Sequence, residues 1–248
     1  MLNGKRKALL LLLVVFILLG FEAPIKKDRY FYEKRGEVVW EVPMEDKKIA
    51  LTFDDGPYPQ TTDKILDLLQ QYHAKATFFV IGNKVERFPQ TIMREIAEGH
   101  EVANHTFNHV YFLRSISSTT IKEEITKTGH ALEALTGIKP LLFRPPGGYY
   151  NEKSIQIAKM LGYTTVMWSW HQDTNDWKSP GVNKIVNKVL NNARNGDIVL
   201  MHDYIQGSMQ TVKALEIILF ELDKRGFKFV TVSELLKDQS DKRISKPL

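Results

Sequence analysis

The sequence predicts an α/β fold with parallel strands, and three observations lead to this prediction. From Lys48 onward, short apolar runs rich in β-branched and aromatic residues alternate with longer amphipathic stretches. Glycines follow several of the amphipathic stretches, where helices are expected to end. The glycine-rich dinucleotide-binding fingerprint and the P-loop pattern are both absent. Because strands that alternate with helices form parallel sheets, we expect a barrel or an open doubly wound sheet.

The predicted elements follow one another in regular alternation. Seven runs have the composition of strands: Ile49–Phe53, Ala76–Ile81, Glu101–Ala103, Leu141–Phe143, Thr164–Trp168, Ile198–Met201 and Phe229–Val232. Six stretches have the apolar spacing of helices: Asp63–Tyr72, Pro89–Glu98, Thr120–Leu135, Glu152–Leu161, Val182–Ala193 and Met209–Lys224. A short strand is also expected at Val38–Val42, and a frayed polar tail from Lys237 onward.

The N-terminal segment has the pattern of an export signal. Three basic residues, Lys5–Lys7, precede an apolar run from Ala8 to Leu19. This run is shorter than the roughly 20 apolar residues of a full membrane span. The nearest cleavage site, Ala23, is poor because Phe21 lies two residues before it and Pro24 follows it. An uncleaved membrane anchor is therefore favoured over a cleaved signal and over a buried core helix, with the folded body outside the membrane.

Composition and charge exclude several classes of protein. The chain is 43% hydrophobic and 25% charged, so it can bury a core. The absence of cysteine excludes a disulfide scaffold, a cysteine-ligated metal and a cysteine nucleophile. The net charge of +5 lies entirely within residues 1–35, so the rest is neutral and we expect no nucleic-acid partner. We divide the chain into a signal or anchor (1–23), a linker (24–46), a folded domain (47–238) and a polar tail (239–248).

Polar residues follow most of the predicted strands directly. Because the carboxyl ends of parallel strands open on one face, these residues are expected to converge there. They include two carboxylates after the first strand, two histidines after the third, an arginine after the fourth, a carboxylate after the fifth and a histidine after the sixth: Asp54, Asp55, His105, His109, Arg144, Asp173 and His202.

The spacing of His105 and His109 allows both imidazoles to reach one metal ion from a tight loop. Two histidines at this spacing are also common as surface or capping residues. A carboxylate from another strand end would complete a two-histidine, one-aspartate set, which suits zinc, cobalt, nickel or iron. Of the contiguous Asp54 and Asp55, one is expected to meet a cation while the other acts as a base. The alternative is an aspartate turn or a helix cap.

Arg144, His202 and the tryptophans each have a structural and a functional interpretation. Arg144 precedes two prolines, so it is either a surface residue on a rigid loop or the partner that keeps a catalytic carboxylate ionised. His202 ends an apolar strand, which favours a general acid at a pocket mouth over an edge histidine. Trp177 is either a core residue or part of a pocket wall that receives a sugar.

Together, these motifs resemble those of the NodB-homology polysaccharide deacetylases, carbohydrate esterase family four. The resemblance extends from about Lys48 to Leu236, and counterparts of all five usual motifs occur in the right order. It implies a distorted, incomplete (β/α) barrel of seven or eight strands, with the site at the carboxyl ends of the strands. It also implies a divalent metal, zinc most often, with cobalt or another transition ion as the alternative.

The resemblance assigns a role to each motif residue. Asp54 would be the general base, Arg144 would orient it, and Asp173 would pair with His202, the general acid. The metal ligands would be Asp55, His105 and His109, with Thr106 supporting their loop by hydrogen bonding. The backbone N–H of Gly147 would bind the oxyanion, and the acetyl pocket would be formed by Trp177 and Leu200. At position 147 the family usually has tyrosine, so a ring is missing that Tyr149 or Tyr150 could replace.

The expected function is therefore metal-dependent deacetylation of N-acetylated cell-wall glycan, on N-acetylglucosamine or N-acetylmuramic acid of peptidoglycan. The chain would work outside the cytoplasm, anchored by its N-terminus or secreted, with no obligate protein partner. Alternative substrates are chitin-like oligomers, poly-N-acetylglucosamine, a non-sugar amide or an O-acetyl ester. A catalytically silent glycan-binding surface protein is the remaining alternative, which the complete set of motif residues disfavours.

Overall fold

One parallel sheet curls into an incomplete barrel. The structure, a computed structural model, describes residues 28–205 and 209–245. Its strands are β1 (Val38–Val39), β2 (Lys48–Asp54), β3 (Ala76–Val80), β4 (Glu101–Asn104), β5 (Leu142–Phe143), β6 (Thr164–Val166), β7 (Ile198–His202) and β8 (Lys228–Phe229). Their order is β1-β6-β5-β4-β3-β2-β7, and β8 pairs with the start of β2. The predicted α/β fold, a distorted and incomplete (β/α) barrel, is confirmed.

Helices occupy most connections between the strands. They are α1 (Arg29–Lys34), α2 (Pro59–Gln71), α3 (Gly82–Arg87), α4 (Pro89–Ala97), α5 (Ser118–Thr136), α6 (Glu152–Met160), α7 (Val182–Leu190), α8 (Gln210–Lys224) and α9 (Val232–Ser245). Short 3₁₀ turns lie at Pro146–Gly148, Trp170–Gln172 and Asp176–Lys178. Among the helices of the described ranges, none has the length and apolar content that a membrane crossing needs. The predicted signal or anchor at 1–23 lies outside the described residues.

Alternate residues of the central strands belong to two different apolar cores. On β3, Phe78 and Val80 pack with the apolar faces of α2 and α8 on the outside of the sheet. Phe79, between them, packs with Ala103, Leu142 and other side chains contributed by six strands, which form the interior of the barrel. Both faces of the strand are therefore buried, and this explains why the sequence of β3 is apolar at almost every position.

An irregular segment between β6 and β7 closes the barrel on one side. The Ser169 amide donates to the carbonyl of Ile198 on β7 over 3.0 Å, and Asp173 forms an isolated parallel bridge with Leu200. Since regular pairing is absent along this segment, the barrel is distorted here. The segment also carries Asp173 and Asp176 to the side of β7, close to the carboxyl end of that strand.

The predicted linker and tail are structured where the structure describes them. Residues 28–46 include α1 and β1, which pairs with β6, and Trp40 is 7% exposed, so the expected linker is instead packed onto the barrel.

The predicted strand Phe229–Val232 ends early because α9 begins at Val232. The Thr231 amide donates to Glu234 Oε2 and the Glu234 amide to Thr231 Oγ1, a reciprocal cap. The helix continues to Ser245, so the expected frayed tail is wrong for 237–245.

Candidate active site

The two contiguous carboxylates lie where β2 runs into a tight turn. Asp54 is the last residue of β2, is 3% exposed, and is flanked by Phe79 of β3 and His202 of β7. Asp55 has a left-handed backbone with φ of 77°, and Lys84 Nζ donates to its carbonyl over 2.6 Å. A left-handed aspartate reverses the side-chain direction, so the two neighbouring carboxylates serve different partners.

Asp55, His105 and His109 form the candidate metal site. Their ligand atoms all lie within 4.8 Å of one another, with Asp55 Oδ1 at 3.0 Å from His109 Nε2 and 3.5 Å from His105 Nε2. Asp55 Oδ1 is buried and has no hydrogen-bond partner among the described residues. A buried carboxylate oxygen without a hydrogen bond, beside two imidazole nitrogens, fits a set of ligands arranged around a divalent cation.

The orientation of His105 supports this interpretation. Its Nδ1 lies 2.7 Å from the carbonyl oxygen of Arg144, so this nitrogen carries the proton and Nε2 is left with a lone pair. His105 is 1% exposed, which fixes the ring in place. This backbone carbonyl therefore selects the tautomer that a metal ligand needs.

A buried glutamate that the sequence analysis missed holds the histidine loop. Glu124 on α5 accepts from the backbone amides of Phe107 and Asn108 over 2.9 and 2.7 Å, and from the Asn108 side chain over 2.8 Å. The Thr106 hydroxyl, expected to support this loop, is buried without a partner among the described residues, although the Thr106 amide donates to Asn104 Oδ1. The carboxylate reaches the loop because Glu124 projects from the first turns of the long helix behind it.

Arg144 lies fully buried against Asp54. Its Nη1 donates to Asp54 Oδ1 over 2.7 Å and to Thr52 Oγ1 over 2.8 Å, and its Nη2 donates to the Met167 carbonyl over 2.8 Å. The guanidinium carbon lies 3.9 Å from the centre of the Phe79 ring. With its donors bound on both sides, the guanidinium cannot swing away, so one oxygen of Asp54 has a fixed cationic partner while the other remains available in the cleft.

His202 pairs with Asp176, not with Asp173 as the resemblance implied. His202 Nδ1 lies 2.7 Å from Asp176 Oδ1, and the other oxygen of Asp176 accepts from the His202 amide and from Thr211 Oγ1. The Asp173 carboxylate instead accepts from the Asn175 amide two residues later. The physical reason is the 3₁₀ turn that begins at Asp176, because this turn places the Asp176 carboxylate beside His202 at the end of β7. Asp173 lies instead beside Leu200, which precedes His202 by two residues on the same strand.

This pairing charges His202. Burial by itself lowers the pKa of the imidazole, but the hydrogen bond and charge of Asp176, helped by Asp55 and Asp54, raise that pKa to about 9. Since Nδ1 is bound to Asp176, Nε2 is the nitrogen that faces the cleft. His202 therefore presents a proton at neutral pH in the direction of a bound substrate.

The two aspartates of β2, the histidines of the metal site and His202 line one cleft of about 490 Å³. Its floor carries Asp54, Asp55 and the two histidines of the metal site. One side is built by β7 and the segment before it and carries Asp173, Trp177, Leu200 and His202. The other side is built by the loops after β4 and β5 and carries Tyr111, Leu113, Gly147 and Tyr149. Gly147 has φ of 60°, inside a 3₁₀ turn.

The structure brings every predicted site residue to this cleft or into direct contact with it. It adds residues that the sequence analysis did not select: Asp176, Glu124, Tyr111 and Leu113. A signal for Asp176 was its position directly before Trp177, in the polar stretch that follows the fifth predicted strand. For Glu124, Tyr111 and Leu113 no motif gave a signal, because a helix face and a loop without regular structure determine where they lie.

Comparison with known proteins agrees with this geometry. The family model described as polysaccharide deacetylase matches residues 41–166. A peptidoglycan-N-acetylglucosamine deacetylase of Bacillus cereus is 53% identical over 205 residues, which cover 83% of this chain and 95% of the relative.

Solved structures give the same result. The crystal structure of a peptidoglycan N-acetylglucosamine deacetylase superimposes with a TM-score of 0.79 at 34% identity, covering 84% of this chain and 96% of that one. A pseudoenzyme of carbohydrate esterase family four from Bacillus anthracis superimposes with a TM-score of 0.73 at 29% identity, covering 80% of this chain and 68% of that one.

Proposed function

The chain belongs to the polysaccharide deacetylase family, and we propose that it hydrolyses the acetamide of N-acetylated peptidoglycan sugars to acetate and a free amine. The enzyme class is that of a hydrolase acting on amide bonds. The observation that carries the proposal is the cleft itself, where a buried base, a three-ligand metal site and a charged histidine face one space. In metal-dependent amide hydrolysis the base activates the water, the metal polarises the carbonyl and the acid protonates the leaving nitrogen, so these three components suit that reaction.

The metal site fits a divalent ion, and we propose zinc. Two neutral imidazoles and one carboxylate leave coordination positions free, as in catalytic zinc sites. When bound by Asp55, His105 and His109, the ion would polarise the acetamide carbonyl and lower the pKa of a water molecule. The fit rests on the unpartnered buried oxygen of Asp55 and on the tautomer of His105.

The residues around this site handle the protons. Asp54 accepts the proton of the attacking water on the oxygen that Arg144 does not bind, while the Arg144 guanidinium holds the other oxygen in place. The backbone N–H of Gly147 is available on the rim of the cleft for the oxygen that becomes negative. His202 donates its Nε2 proton to the departing sugar nitrogen, and Asp176 stabilises the imidazolium beforehand. Trp177 and Leu200 bound the apolar space for the acetyl methyl group.

The test is acetate release by the full-length chain from purified peptidoglycan and from chito-oligosaccharides in parallel. We expect release to stop on chelation and to return with zinc or cobalt, and to be lost in Asp54→Asn, which keeps the shape of the side chain. The better substrate distinguishes peptidoglycan from chitin-like glycan. If neither glycan releases acetate from metal-loaded protein, the proposal is wrong and a panel of amides and O-acetyl esters follows.

A silent glycan-binding protein is the second candidate, because the fold is shared with a pseudoenzyme. The complete set of Asp54, His202 and three metal ligands in one cleft argues against it. The distinguishing result is glycan binding of equal strength in wild type and Asp54→Asn, with acetate release from neither.

We also propose that the enzyme acts outside the cytoplasm, where peptidoglycan lies, and that its N-terminal apolar segment holds it at the membrane. The support is the pattern of basic and apolar residues in positions 5–19 of the sequence. Cell fractionation tests this: the full-length protein should sediment with membranes, whereas a variant with a charged residue in the apolar run should not.

A further inference from the structure

The rim of the cleft differs from the family pattern at Gly147, and the space of the missing side chain is filled. A Cβ placed on Gly147 would lie 2.7 Å from Tyr111 Cε1 and 3.0 Å from two ring carbons of Tyr149. Those separations are shorter than van der Waals contact between carbon atoms allows. The left-handed backbone of Gly147 further disfavours any other residue there. Two tyrosines from neighbouring loops therefore close around the position.

The two tyrosines form an aromatic pair that continues from the metal site. The rings of Tyr111 and Tyr149 are 5.5 Å apart at 88°, and those of Tyr111 and His109 are 5.3 Å apart at 72°. Both tyrosines line the cleft together with Leu113. All three side chains are about half exposed, at 47%, 52% and 52%. Among the contacts of the described residues, neither tyrosine hydroxyl has a hydrogen-bond partner.

The loops that carry these rings are held firmly. Phe112, next to Tyr111, is buried against Phe143, and its carbonyl accepts from the side chain of Asn151 over 3.2 Å. Asn151 also caps α6, directly after the turn that carries Tyr149. A shared residue thus ties the two loops together. Rings fixed before a ligand arrives cost little entropy when they bind it.

We propose that Tyr111 and Tyr149 form a subsite for the sugar adjacent to the one that is deacetylated. This inference rests on the proposed function and names the part of the substrate that this side of the cleft takes. In the proposed function the acetamide would lie over the metal site with its methyl group towards Trp177, so a polymeric glycan must leave the cleft past one of its rims. Contiguous exposed apolar surface on a rigid rim marks a binding site. A pyranose ring matches it because its C–H faces pack on aromatic rings and its hydroxyls bond to phenol groups.

The consequence is a preference for oligomers. On this proposal the neighbouring sugar of a longer chain covers the tyrosine pair, which a single sugar leaves largely uncovered, so the gain appears in kcat/KM as chain length increases. From the strength of single aromatic contacts, we expect kcat/KM to rise about tenfold between N-acetylglucosamine and its tetramer. The rise should come mainly from KM, because the added contact is made to a sugar that does not itself react.

The test measures kcat/KM on chito-oligosaccharides from one to five sugars for wild type, Tyr149→Ala and Tyr149→Phe. Tyr149→Ala should lose most of the increase with length, and Tyr149→Phe should keep most of it because the ring remains. Tyr111→Ala should behave like Tyr149→Ala, but it also removes a ring contact of His109, so Tyr149 is the cleaner position. Tyr30→Ala is the matched control, since Tyr30 is 72% exposed and outside the cleft, and it should match wild type.

A binding measurement removes the dependence on turnover. In the Asp54→Asn background, calorimetry should give about tenfold weaker binding of the tetramer after Tyr149→Ala. Acetate release that does not depend on chain length in wild type would overturn the subsite and leave the proposed function intact. An equal loss at every chain length in Tyr149→Ala would also overturn it, because that is the signature of a structural role. No release from any glycan by the metal-loaded wild type would instead overturn the proposed function.

Discussion

Two groups of histidine and carboxylate side chains in this chain have similar chemistry but opposite surroundings. The first is the candidate metal site of Asp55, His105 and His109; the second consists of Glu41, His171 and Asp197, whose ligand atoms also lie within 4.8 Å of one another. In the first, the buried Oδ1 atom of Asp55 has no hydrogen-bond partner among the described residues, and the cleft connects the three ligands with solvent. In the second, His171 Nε2 and both oxygens of Asp197 already have hydrogen-bond partners, although His171 Nδ1 has none among the described residues.

The second group uses its atoms internally. His171 Nε2 lies 2.9 and 3.0 Å from the two oxygens of Asp197, and Asp197 also accepts from the Gln172 side chain and the Arg194 amide. Glu41 is bound to the guanidinium of Arg29 over 2.9 Å. His171 and Asp197 are both 2% exposed. A cation would have to displace several hydrogen bonds and approach a bound arginine, so His171 and Asp197 function as a clamp between the Trp170–Gln172 turn and the residue before β7.

The difference shows that composition does not identify a metal site. What distinguishes the two groups is whether the ligand atoms remain unsatisfied by protein partners, and whether a path to solvent exists. The predictions below test this distinction, beginning with the largest expected effect.

The largest effect is expected from Asp55→Asn. The amide cannot serve as the anionic ligand, so we expect the bound metal to be lost and acetate release to fall below detection. Metal analysis of purified protein should give one ion per wild-type chain and none in the variant. The matched variant is Asp197→Asn, which should keep its metal and its activity per folded molecule. Two ions per chain, with one lost in Asp197→Asn, would contradict the comparison.

The next largest effect is expected from Asp176→Asn. Without its anionic partner, His202 is less basic, so the pKa that Asp176 holds at about 9 should fall. The acid form of His202 is the active one, and therefore the alkaline limb of the kcat profile should move to lower pH. We expect kcat at pH 7 to fall about a hundredfold, as for loss of an oriented general acid.

Asp173→Asn provides the control for this measurement. Asp173 lines the same cleft and lies three residues away, but its carboxylate bonds to the Asn175 amide and not to His202. The alkaline limb should stay in place in this variant. A shift with Asp173→Asn and none with Asp176→Asn would reverse the assignment made here.

The confusion between these two aspartates shows where sequence-based prediction of this site ends. The strand ends and their order follow from hydrophobic pattern, and this was enough to predict that Asp54, His105, Arg144 and His202 meet. Which aspartate reaches His202 depends on a 3₁₀ turn that no periodicity reports. Likewise, α9 was missed because its capping residues, Thr231 and Glu234, follow directly on the apolar run of β8. Local hydrogen bonds, and not the apolar pattern, decide both cases.

The same limit applies to the residues around the metal site. Glu124 lies on the buried face of its helix, between apolar positions, and its importance comes from two loop amides that donate to it. The linker was expected to be free because it is charged, yet Tyr32, Trp40 and Val42 are buried against the barrel. Burial of these three apolar side chains stabilises the packed segment by more than the solvation of its charged residues favours a free one.

A moderate effect on stability is expected from His171→Leu. Removal of His171 leaves the buried Asp197 carboxylate with only the Gln172 side chain and the Arg194 amide as donors, which should lower the free energy of unfolding by about 2 kcal/mol. Urea denaturation followed by fluorescence measures this change. His130→Leu, in a half-exposed position on α5, should change stability by less than about 0.5 kcal/mol. Equal effects of the two variants would mean that the clamp around Asp197 contributes nothing particular.

The smallest effect is expected from Glu124→Gln, which tests the support of the metal loop. Glutamine keeps one acceptor oxygen but loses the charge, so the amides of Phe107 and Asn108 bind more weakly and His109 is less well placed. We expect metal affinity to fall about tenfold, the usual size of an effect transmitted through a ligand's supporting contacts. Competition with a chelator measures it, and Glu123→Gln, on the neighbouring exposed position of the same helix, is the control. The two variants separate the loop contact from any general loss of helix charge, since only Glu124 touches the loop.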